Sequence, residues 1–308
     1  MRYGRILVLG GSGFVGRHLV AALVRRGACV TVPSRRRERA KHLILLPTVD
    51  VVEADVLQRG VHDRLVRGQD AVINLVGILH GDFQRAHIEI PLAAIAACRA
   101  AGVERLLHIS ALGASPDAPS EYLRSKAKGE QAILDADDRH VTVLRPSVIF
   151  GPEDRFLNQF ATMAKWLPVL AVPCPDARFQ PVYVGDVARA MAVALEDTET
   201  FGQKYDLAGP REYRLKELVE LVCALTHRQR LVVGLPDSLS YLQASLLERL
   251  PGQLMTRDNY RSMQVPNTTS APWPLGAERQ SLEAIAPAYL FPSGPRERYP
   301  QLRWRARR

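Results

Sequence analysis

Short apolar runs alternate with amphipathic stretches along the first 150 residues of the chain. The runs lack polar alternation, which is typical of strands that are buried on both faces of a sheet. The stretches between them repeat apolar residues at three- and four-residue intervals, which favours helices. The predicted strands are 6–9, 29–32, 49–53, 71–76, 106–109 and 141–144, and the predicted helices are 14–26, 38–46, 60–67, 85–100 and 121–136. Strands separated by helices predict an α/β fold with a doubly wound parallel sheet.

The sequence pattern changes after Pro146, because prolines cluster there and the alternation of apolar and polar stretches becomes less regular. Helices are predicted at 155–167, 185–196, 214–227 and 237–249, with short strands at 179–184 and 203–207. We therefore expect a dinucleotide-binding domain over 1–150 and a smaller, mostly helical C-terminal cap over 151–308. Residues 179–208 are expected to return to the sheet of the first domain.

A glycine-rich turn lies between the first predicted strand and the first predicted helix. Glycines at this place bring the backbone close to a pyrophosphate and direct a helix N-terminus at it, as in a Rossmann fold. The alternative is a tight turn without a ligand. The predicted cofactor contacts here are Gly10, Ser12, Gly13, Phe14, Val15 and Gly16.

The end of the second predicted strand distinguishes two kinds of dinucleotide. An NAD(H) site would place an acidic residue here to bind the ribose hydroxyls. The chain instead has Ser34, Arg35 and Arg36. A guanidinium binds a 2′-phosphate with paired hydrogen bonds, so we predict a preference for NADP(H), with NAD(H) as the alternative ligand. An exposed basic loop without a ligand is the competing interpretation.

The next two predicted strands end in further candidate contacts. Asp55 could accept a hydrogen bond from an adenine amino group while Val56 packs on the ring, although Asp55 could equally cap a helix that begins near residue 58. Leu75, Val76 and Gly77 follow the fourth strand, and the glycine would let the backbone pass close to a cofactor.

A phenol and an ammonium lie four residues apart on the helix predicted at 121–136, at Tyr122 and Lys126. This spacing places them on one helix face. A nearby cation is expected to lower the pKa of the phenol, which would help Tyr122 act as an acid or base at a carbonyl. Lys126 could also hold the nicotinamide ribose.

These motifs together resemble the short-chain dehydrogenase/reductase superfamily, in its extended or atypical branch that includes epimerase/dehydratase-like proteins. The resemblance covers about residues 4–228 and includes the stretches 145–152 and 181–188. It implies that Tyr122, Lys126 and Ser110 are catalytic and that Pro146 contacts the cofactor. Members usually carry a catalytic serine at the position that holds Leu112 here, so the serine–tyrosine–lysine triad is expected to be incomplete unless Ser110 or Ser115 takes the place of that serine, while cofactor binding is unaffected.

A narrower likeness appears in the stretches 72–77, 102–105, 108–114 and 120–130. They are similar to the family of NADPH-binding accessory subunits of respiratory complex I and their bacterial relatives. That resemblance implies a tightly held nucleotide and a structural role.

Composition and charge limit the kinds of partner that the chain is expected to bind. The net charge of +9 favours anionic partners such as phosphate, an anionic membrane face or an acidic protein, although the basic tail at 303–308 could also serve solubility. The likeness to complex I subunits adds contact with a respiratory complex. The chain is only 6% aromatic and has no nucleic-acid motif, so no nucleic-acid partner is expected. Neither the cysteines nor the histidines have metal-ligand spacing, which predicts no metal site. The chain has no apolar run of ~18 residues, so we expect no helix that spans a membrane. The cysteines lack paired spacing, which favours a reducing compartment, and we expect a cytoplasmic protein or one peripheral to the inner face of a membrane.

Four leucines share one face of the helix predicted at 237–249 and the residue that follows it: Leu239, Leu242, Leu246 and Leu250. Core packing is the usual role of such a stripe, and docking on a partner or membrane is the alternative.

Three functions are compatible with these patterns. The first is an NADP(H)-dependent oxidoreductase or epimerase-like enzyme that acts on an unidentified small molecule, such as a carbonyl, an alcohol or a quinone-related compound. The second is a nucleotide-stabilised structural or assembly protein linked to respiratory complex I or quinone metabolism. The third is a regulatory protein that binds its partner according to the NADP(H) state.

Overall fold

A computed structural model describes residues 2–58, 60–250, 254–276 and 279–290. The chain forms two compact units, each built from separate stretches of sequence. Unit 1 comprises Met1–Ser147, Val184–Ala208 and Thr269–Glu278. Unit 2 comprises Val148–Tyr183, Gly209–Thr268 and Arg279–Arg308. The basic tail that the sequence singles out lies outside the described residues.

A seven-stranded parallel sheet forms the centre of unit 1, with the strand order β3-β2-β1-β4-β5-β6-β11. This confirms the doubly wound sheet expected from the sequence. The order reverses between β1 and β4, which is where open α/β sheets bind ligands. The strands are β1 (Arg5–Leu9), β2 (Cys29–Ser34), β3 (Val49–Glu53), β4 (Ala71–Asn74), β5 (Arg105–Ile109), β6 (His140–Pro146) and β11 (Gln203–Leu207).

Helices connect these strands and cover the sheet. They are α1 (Phe14–Arg25), α2 (Lys41–Ile44), α3 (Val61–Val66), α4 (Ile90–Ala101), α5 (Glu121–Leu134) and α7 (Val184–Glu196). Two 3₁₀ turns, Arg37–Ala40 and Thr198–Thr200, and one π-helical turn, Arg85–Glu89, complete unit 1. Most of the predicted helices therefore exist, but the one predicted at 85–100 begins with a π turn that the sequence pattern does not reveal.

The described residues of unit 2 form helices and three two-stranded sheets. Its strands are β7 (Ile149–Phe150), β8 (Val169–Val172), β9 (Arg178–Phe179), β10 (Val182–Tyr183), β12 (Tyr213–Arg214) and β13 (Leu231–Gly234). Its helices are α6 (Phe156–Trp166), α8 (Leu215–Leu225), α9 (Asp237–Leu247), α10 (Arg257–Ser262) and α11 (Leu282–Leu290). The single strand predicted at 179–184 is wrong: β9 and β10 pair with different strands, and the return to unit 1 begins with α7.

A buried arginine ties the returning segment of unit 1 to its sheet. Arg105 is fully buried at the start of β5. Its guanidinium donates to the carbonyls of Leu195, at 3.1 Å, and Ala194, at 2.5 Å, where α7 ends, and to the His140 carbonyl at 2.7 Å. The cation therefore lies where the negative end of the α7 dipole and its unpaired carbonyls need one. Burial lowers the pKa of Arg105 to about 10, so the side chain stays charged at neutral pH.

Two further properties bear on function. Within the described ranges, no helix has the length and apolar character needed to cross a membrane. No group of three or more His, Cys, Asp or Glu side chains in the same ranges could hold a metal ion.

Candidate dinucleotide and acid–base site

The glycine turn brings three pieces of unit 1 into backbone contact. Gly10 adopts a left-handed φ of +79°, and a Cβ at this position would lie 3.1 Å from the Leu75 carbonyl carbon. A Cβ at Gly16 would lie 2.5 Å from both the Gly10 carbonyl oxygen and the Gly11 Cα. Real side chains do not come this close, so α1 can approach the turn only because residue 16 is glycine. The spacing of the glycines thus has a direct steric cause.

The N-terminus of α1 suits an anion. Gly13 precedes the helix, no side chain caps it, and the first turn contains no acidic residue. The first amides of a helix lack internal partners and carry partial positive charge, which favours a phosphate. Phe14 and Val15 open the helix and, like Ser12, are half-buried beside these amides. The residues present therefore fit a pyrophosphate.

The basic loop after β2 is shaped by Ser34. This side chain is buried, and its hydroxyl donates to the Arg36 carbonyl at 2.8 Å. Arg35 and Arg36 are exposed directly after the strand. Ser34 thus holds the turn that presents the two guanidinium groups.

Asp55 closes a tight turn after β3. Its Oδ1 accepts the Leu57 amide at 3.0 Å, and its carbonyl accepts the Gln58 amide at 3.0 Å. Helix α3 begins only at Val61, with Gly60 at its N-cap, so the alternative that Asp55 caps a helix beginning near residue 58 is wrong. Val56 and Val76 both pack partly buried against the same apolar core cluster.

Asn74 fixes the backbone that follows β4. Its Oδ1 accepts the Val76 amide at 3.0 Å, while the Leu75 amide donates to the Leu9 carbonyl at 2.9 Å. The next residue, Gly77, is exposed, and a Cβ on it would lie 3.3 Å from Lys126 Nζ. The end of β4 therefore meets the lysine of α5.

Helix α5 carries Tyr122 and Lys126 and begins with a side-chain cap, because Ser120 Oγ accepts the Leu123 amide at 3.3 Å. Lys126 is buried, and its Nζ donates to the Ile109 carbonyl, at the end of β5, at 2.9 Å. Burial lowers the pKa of Lys126 to about 8, although the nearby Glu130 carboxylate opposes this shift.

The prediction that a nearby cation lowers the pKa of the Tyr122 phenol is wrong. Burial raises the pKa of Tyr122 to about 12, instead of a cation lowering it. Loss of water around a phenol disfavours its charged form. At neutral pH Tyr122 is therefore protonated.

A histidine that the sequence reasoning missed lies beside the phenol. His87 belongs to the π turn, and its ring stacks on Phe83 with centroids 5.3 Å apart and meets the Tyr122 ring edge-on at 5.6 Å. Single π turns occur frequently at functional sites. The sequence gives no signal for this turn, because a histidine inside a predicted helix is ordinarily a surface or core residue.

The hydrogen bonds of His87 determine its tautomer. The Ile78 amide donates to Nε2 at 3.1 Å, so Nε2 bears no proton. Nδ1 then donates to Ser125 Oγ at 2.8 Å, and this hydroxyl donates to the Tyr122 carbonyl at 2.8 Å. Burial, and then the charge of Lys126, lower the pKa of His87 to about 3, which agrees with a neutral ring.

A glycine in α5 makes this arrangement sterically accessible. A Cβ at Gly129 would lie 1.9 Å from the His87 carbonyl oxygen. The helix can therefore rest directly on the backbone of the π turn. This contact brings the face of α5 that carries Tyr122 and Lys126 against His87.

Strand β5 and the residue that follows it present two buried polar groups whose hydrogen-bonding capacity is not fully used within the described residues. His108 accepts from the Asn74 amide at Nδ1, at 3.2 Å, and its Nε2 has no partner there. The buried Ser110 hydroxyl likewise has none. Residues two apart in a strand face the same side. Unsatisfied buried groups are rare, and a bound molecule that supplies the missing partner is one explanation.

Two residues beyond Ser110, the position of the expected serine is filled by a buried leucine. The Leu112 amide donates to the Pro146 carbonyl at 2.9 Å, at the end of β6. Ser115 uses its hydroxyl in a local turn, where it accepts the Asp117 amide at 3.3 Å. Of the hydroxyls suggested by the resemblance, Ser110 thus has unused hydrogen-bonding capacity, while Pro146 braces the segment after β5.

A protein-family model described as the NAD dependent epimerase/dehydratase family matches residues 6–208. Among curated proteins, the chain is 37% identical to NADH dehydrogenase (ubiquinone) 1 alpha subcomplex subunit 9 of Mus musculus, over 74% of this chain and 63% of that protein. It is 34% identical to a ceramide reductase of Caulobacter vibrioides, over 65% of this chain and 63% of that protein. The matched part is thus less than two thirds of either relative.

Among solved structures, the dTDP-glucose 4,6-dehydratase DesIV of Streptomyces venezuelae, with NAD and TYD bound, superposes with a TM-score of 0.65. It is 21% identical, and the match covers 77% of this chain and 85% of that chain. Identity at this level supports the fold alone.

The glycine turn yields a steric prediction. Gly16→Ala should destabilise the protein by about 1–3 kcal/mol, because its Cβ collides with backbone that cannot move aside. Alanine is intrinsically the better helix former by about 1 kcal/mol, so any loss reflects the contact. Urea unfolding measures the change. Gly4→Ala is the matched control, since its Cβ would make only an ordinary contact of 3.5 Å with Asp70. Equal stability of both variants would contradict the steric argument.

Lys126 yields a prediction on pH. Its pKa is about 8 in the folded state, against an ordinary value of 10.5. Between these values the unfolded chain holds a proton that the folded protein does not, so raising the pH stabilises the folded state. The free energy of unfolding of the native protein, minus that of Lys126→Met, should thus increase by roughly 3 kcal/mol from about pH 7 to pH 10.5.

Urea unfolding at a series of pH values measures this difference. Lys128→Met controls for removal of one positive charge from an exposed site on the same helix. A difference between native and Lys126→Met proteins that does not change with pH would show that Lys126 is not desolvated in the folded state.

Proposed function

Because the chain belongs to the NAD dependent epimerase/dehydratase family, we propose that it binds NADP(H) and reduces a carbonyl compound, with Tyr122 as the acid. The observation that carries the proposal is the buried cluster at the ends of β4 and β5. There Lys126 lies beside Gly77 and donates to the Ile109 carbonyl. The buried Ser110 hydroxyl, one residue further, is unsatisfied within the described residues, and the protonated phenol of Tyr122 lies one helical turn before Lys126 on α5. The relative named a ceramide reductase supports the direction of the reaction.

The residues that would hold the nucleotide are those of the glycine turn, the basic loop and the ends of β3 and β4. The α1 amides would receive the pyrophosphate, and Arg35 and Arg36 would bind a 2′-phosphate. Asp55, Val56, Leu75 and Val76 would border the adenine and its ribose. When bound, the reduced nicotinamide supplies a hydride.

The chain's own residues would supply the proton and the orientation. Tyr122 is protonated at neutral pH, so its phenol can donate a proton to a substrate oxygen. Ser110 would donate a hydrogen bond to the same oxygen. Lys126 would fix the nicotinamide ribose, and His87 would hold the Ile78 amide and the Tyr122 ring in position. The substrate would be a carbonyl compound, an alcohol in the reverse direction, or a quinone.

A second function is favoured by a different observation. The position two residues after Ser110 holds a buried leucine, which cannot bond to a substrate oxygen. The Mus musculus relative is named as a subunit of a respiratory dehydrogenase. A protein that binds nucleotide and contacts a respiratory complex at the surface of a membrane, with little turnover, would account for both. Nucleotide would then stabilise the folded state by binding to it alone.

The basic loop predicts a change in nucleotide preference. Arg35→Ser combined with Arg36→Ser should weaken NADPH binding at least tenfold, because charge-assisted bonds to the 2′-phosphate are lost, and leave NADH binding within about threefold. Titration calorimetry with both nucleotides measures the ratio. Arg39→Ser, in the adjoining 3₁₀ turn, is the matched control. An unchanged ratio of the two affinities would favour a basic loop without a ligand.

If Tyr122 is the acid, its replacement should reduce turnover without weakening NADPH binding. Tyr122→Phe should lower the rate of NADPH oxidation by about 100-fold or more and leave NADPH affinity within about threefold. The loss of NADPH fluorescence in the presence of aldehydes, ketones and quinones measures the rate. Tyr205→Phe, on strand β11, is the control.

If no carbonyl compound oxidises NADPH bound to the native protein, the enzymatic proposal is wrong. In that case, co-isolation with a larger membrane complex in a mild detergent would favour the second function. Equal rates for native and Tyr122→Phe proteins would exclude Tyr122 as the acid.

A further inference from the structure

Helix α9 of unit 2 buries small side chains and exposes large apolar ones, which is the reverse of most surface helices. Its fully buried positions are Ser240 and Ala244. Leu239, Leu242 and Leu246 are instead 47%, 53% and 56% exposed. The expectation that this leucine stripe packs in the core is therefore wrong, and the large apolar side chains face water.

Hydrogen bonds define the inner face of α9. Ser240 Oγ accepts the Cys174 amide at 3.1 Å and donates to the Pro236 carbonyl at 3.0 Å. Gln243 Nε2 donates to the Ala171 carbonyl of β8 at 3.3 Å. Rotating the helix to bury the leucines would break these bonds and leave buried polar groups unpaired, so the leucines face outward in the stable arrangement.

A second exposed apolar group lies on the paired strands β8 and β13. Val169 and Leu231 are neighbours in the register and are 46% and 63% exposed. Trp166, just before β8, is 73% exposed. Isolated exposed leucines are ordinary. Helix α9 bonds to β8 through Gln243, and the two elements and Trp166, just before β8, expose several large apolar side chains, which is typical of an interaction site.

Both cations and carboxylates lie close in sequence to these apolar side chains, and they differ in how they are paired. Within the part of the chain that the structure describes, Lys165, Arg228 and Arg249 form no ion pair, and Lys165 Nζ lies 5.2 Å from the centroid of the Trp166 ring. The carboxylates at the two ends of α9 are engaged. Glu248 pairs with Arg257 at 2.7 Å, and Asp237 accepts the Tyr260 hydroxyl at 2.6 Å.

Leucine, tryptophan and unpaired cations together match an anionic lipid surface. Leucines enter the boundary of the acyl chains, tryptophan prefers the headgroup level, and lysine and arginine contact anionic headgroups. A second copy of the chain fits less well, since a two-fold contact through this face would bring Lys165, Arg228 and Arg249 against like charges.

We propose that the leucine face of α9, together with Trp166 and Lys165, docks unit 2 on the surface of an anionic phospholipid membrane without crossing it. This surface contains none of the residues assigned to the nucleotide, so membrane docking and NADP(H) binding can be tested separately.

Sedimentation of the whole 308-residue chain with phospholipid vesicles tests the proposal. The protein should bind vesicles that contain phosphatidylglycerol at least tenfold more tightly than vesicles of phosphatidylcholine alone. Leu242→Ser combined with Leu246→Ser should weaken that binding at least tenfold and leave NADPH affinity unchanged. Lys165→Glu should weaken it in the same direction. Leu45→Ser combined with Leu92→Ser, at exposed leucines of unit 1, is the matched control and should bind as the native protein does.

A second measurement keeps the test independent of the stability of the leucine variants. In a Trp273→Phe, Trp304→Phe protein, vesicles with brominated acyl chains should quench the fluorescence of Trp166. Absence of vesicle binding, equal binding by the leucine variant, or unquenched Trp166 would each overturn the proposal. A native dimer that the leucine variant dissociates would also overturn it, in favour of a contact between two copies.

Discussion

The contact between α5 and the π turn before α4 sets the geometry of the acid–base part of the candidate site. The helix reaches the His87 carbonyl only because residue 129 has no side chain. A side chain there would push α5 away from the sheet and carry Tyr122 and Lys126 with it. The distances from Lys126 to the ends of β4 and β5 therefore depend on a backbone contact made by residues with no direct part in chemistry. Packed interiors transmit such displacements because they contain few voids.

In the site that this contact creates, one side chain is charged while the histidines and the phenol around it are neutral. The site contains a buried ammonium, while the two histidines nearest to it are held neutral by burial and by that same charge. A desolvated cation interacts strongly with any group that develops negative charge beside it. The phenol remains protonated in these surroundings, which suits proton donation better than proton abstraction. The Ser110 hydroxyl and the Nε2 atom of His108, which have no partner within the described residues, give a ligand polar atoms to satisfy.

Much of unit 1 could be predicted because each pattern there has a local cause. Buried parallel strands require continuous apolar runs, and the turn between β1 and α1 requires glycine at fixed positions, so both are visible in the sequence. The π turn at residues 85–89 has no such signature, because its extra residue per turn is stabilised by α5, which lies far away in sequence. Cofactor preference and the roles of Tyr122 and Ser110 remain predictions, although the lysine, the phenol and the glycine turn lie on elements that the sequence indicated.

Unit 2 was harder to predict for a physical reason. Its strands are two to four residues long, too short to show alternation, and each depends on a partner distant in the chain. The leucine stripe of α9 has the periodicity of a core helix, and periodicity does not reveal which side faces inward. Here the small face is buried, since Ser240 and Gln243 bond to the neighbouring backbone. A hydrophobic pattern thus predicted the helix but gave the wrong environment for its leucines.

The buried Arg105 also constrains the order in which the protein can be completed during synthesis. Its guanidinium side chain lies in the first segment of unit 1, but the carbonyls of Ala194 and Leu195 that accept from it are 89 and 90 residues further along the chain. The first segment of unit 2 leaves the ribosome in between. Until α7 emerges, a cation that belongs inside the nascent sheet lacks these partners. The first segment of unit 1 therefore cannot reach its native packing on its own, because it waits for α7, which is made after the first segment of unit 2.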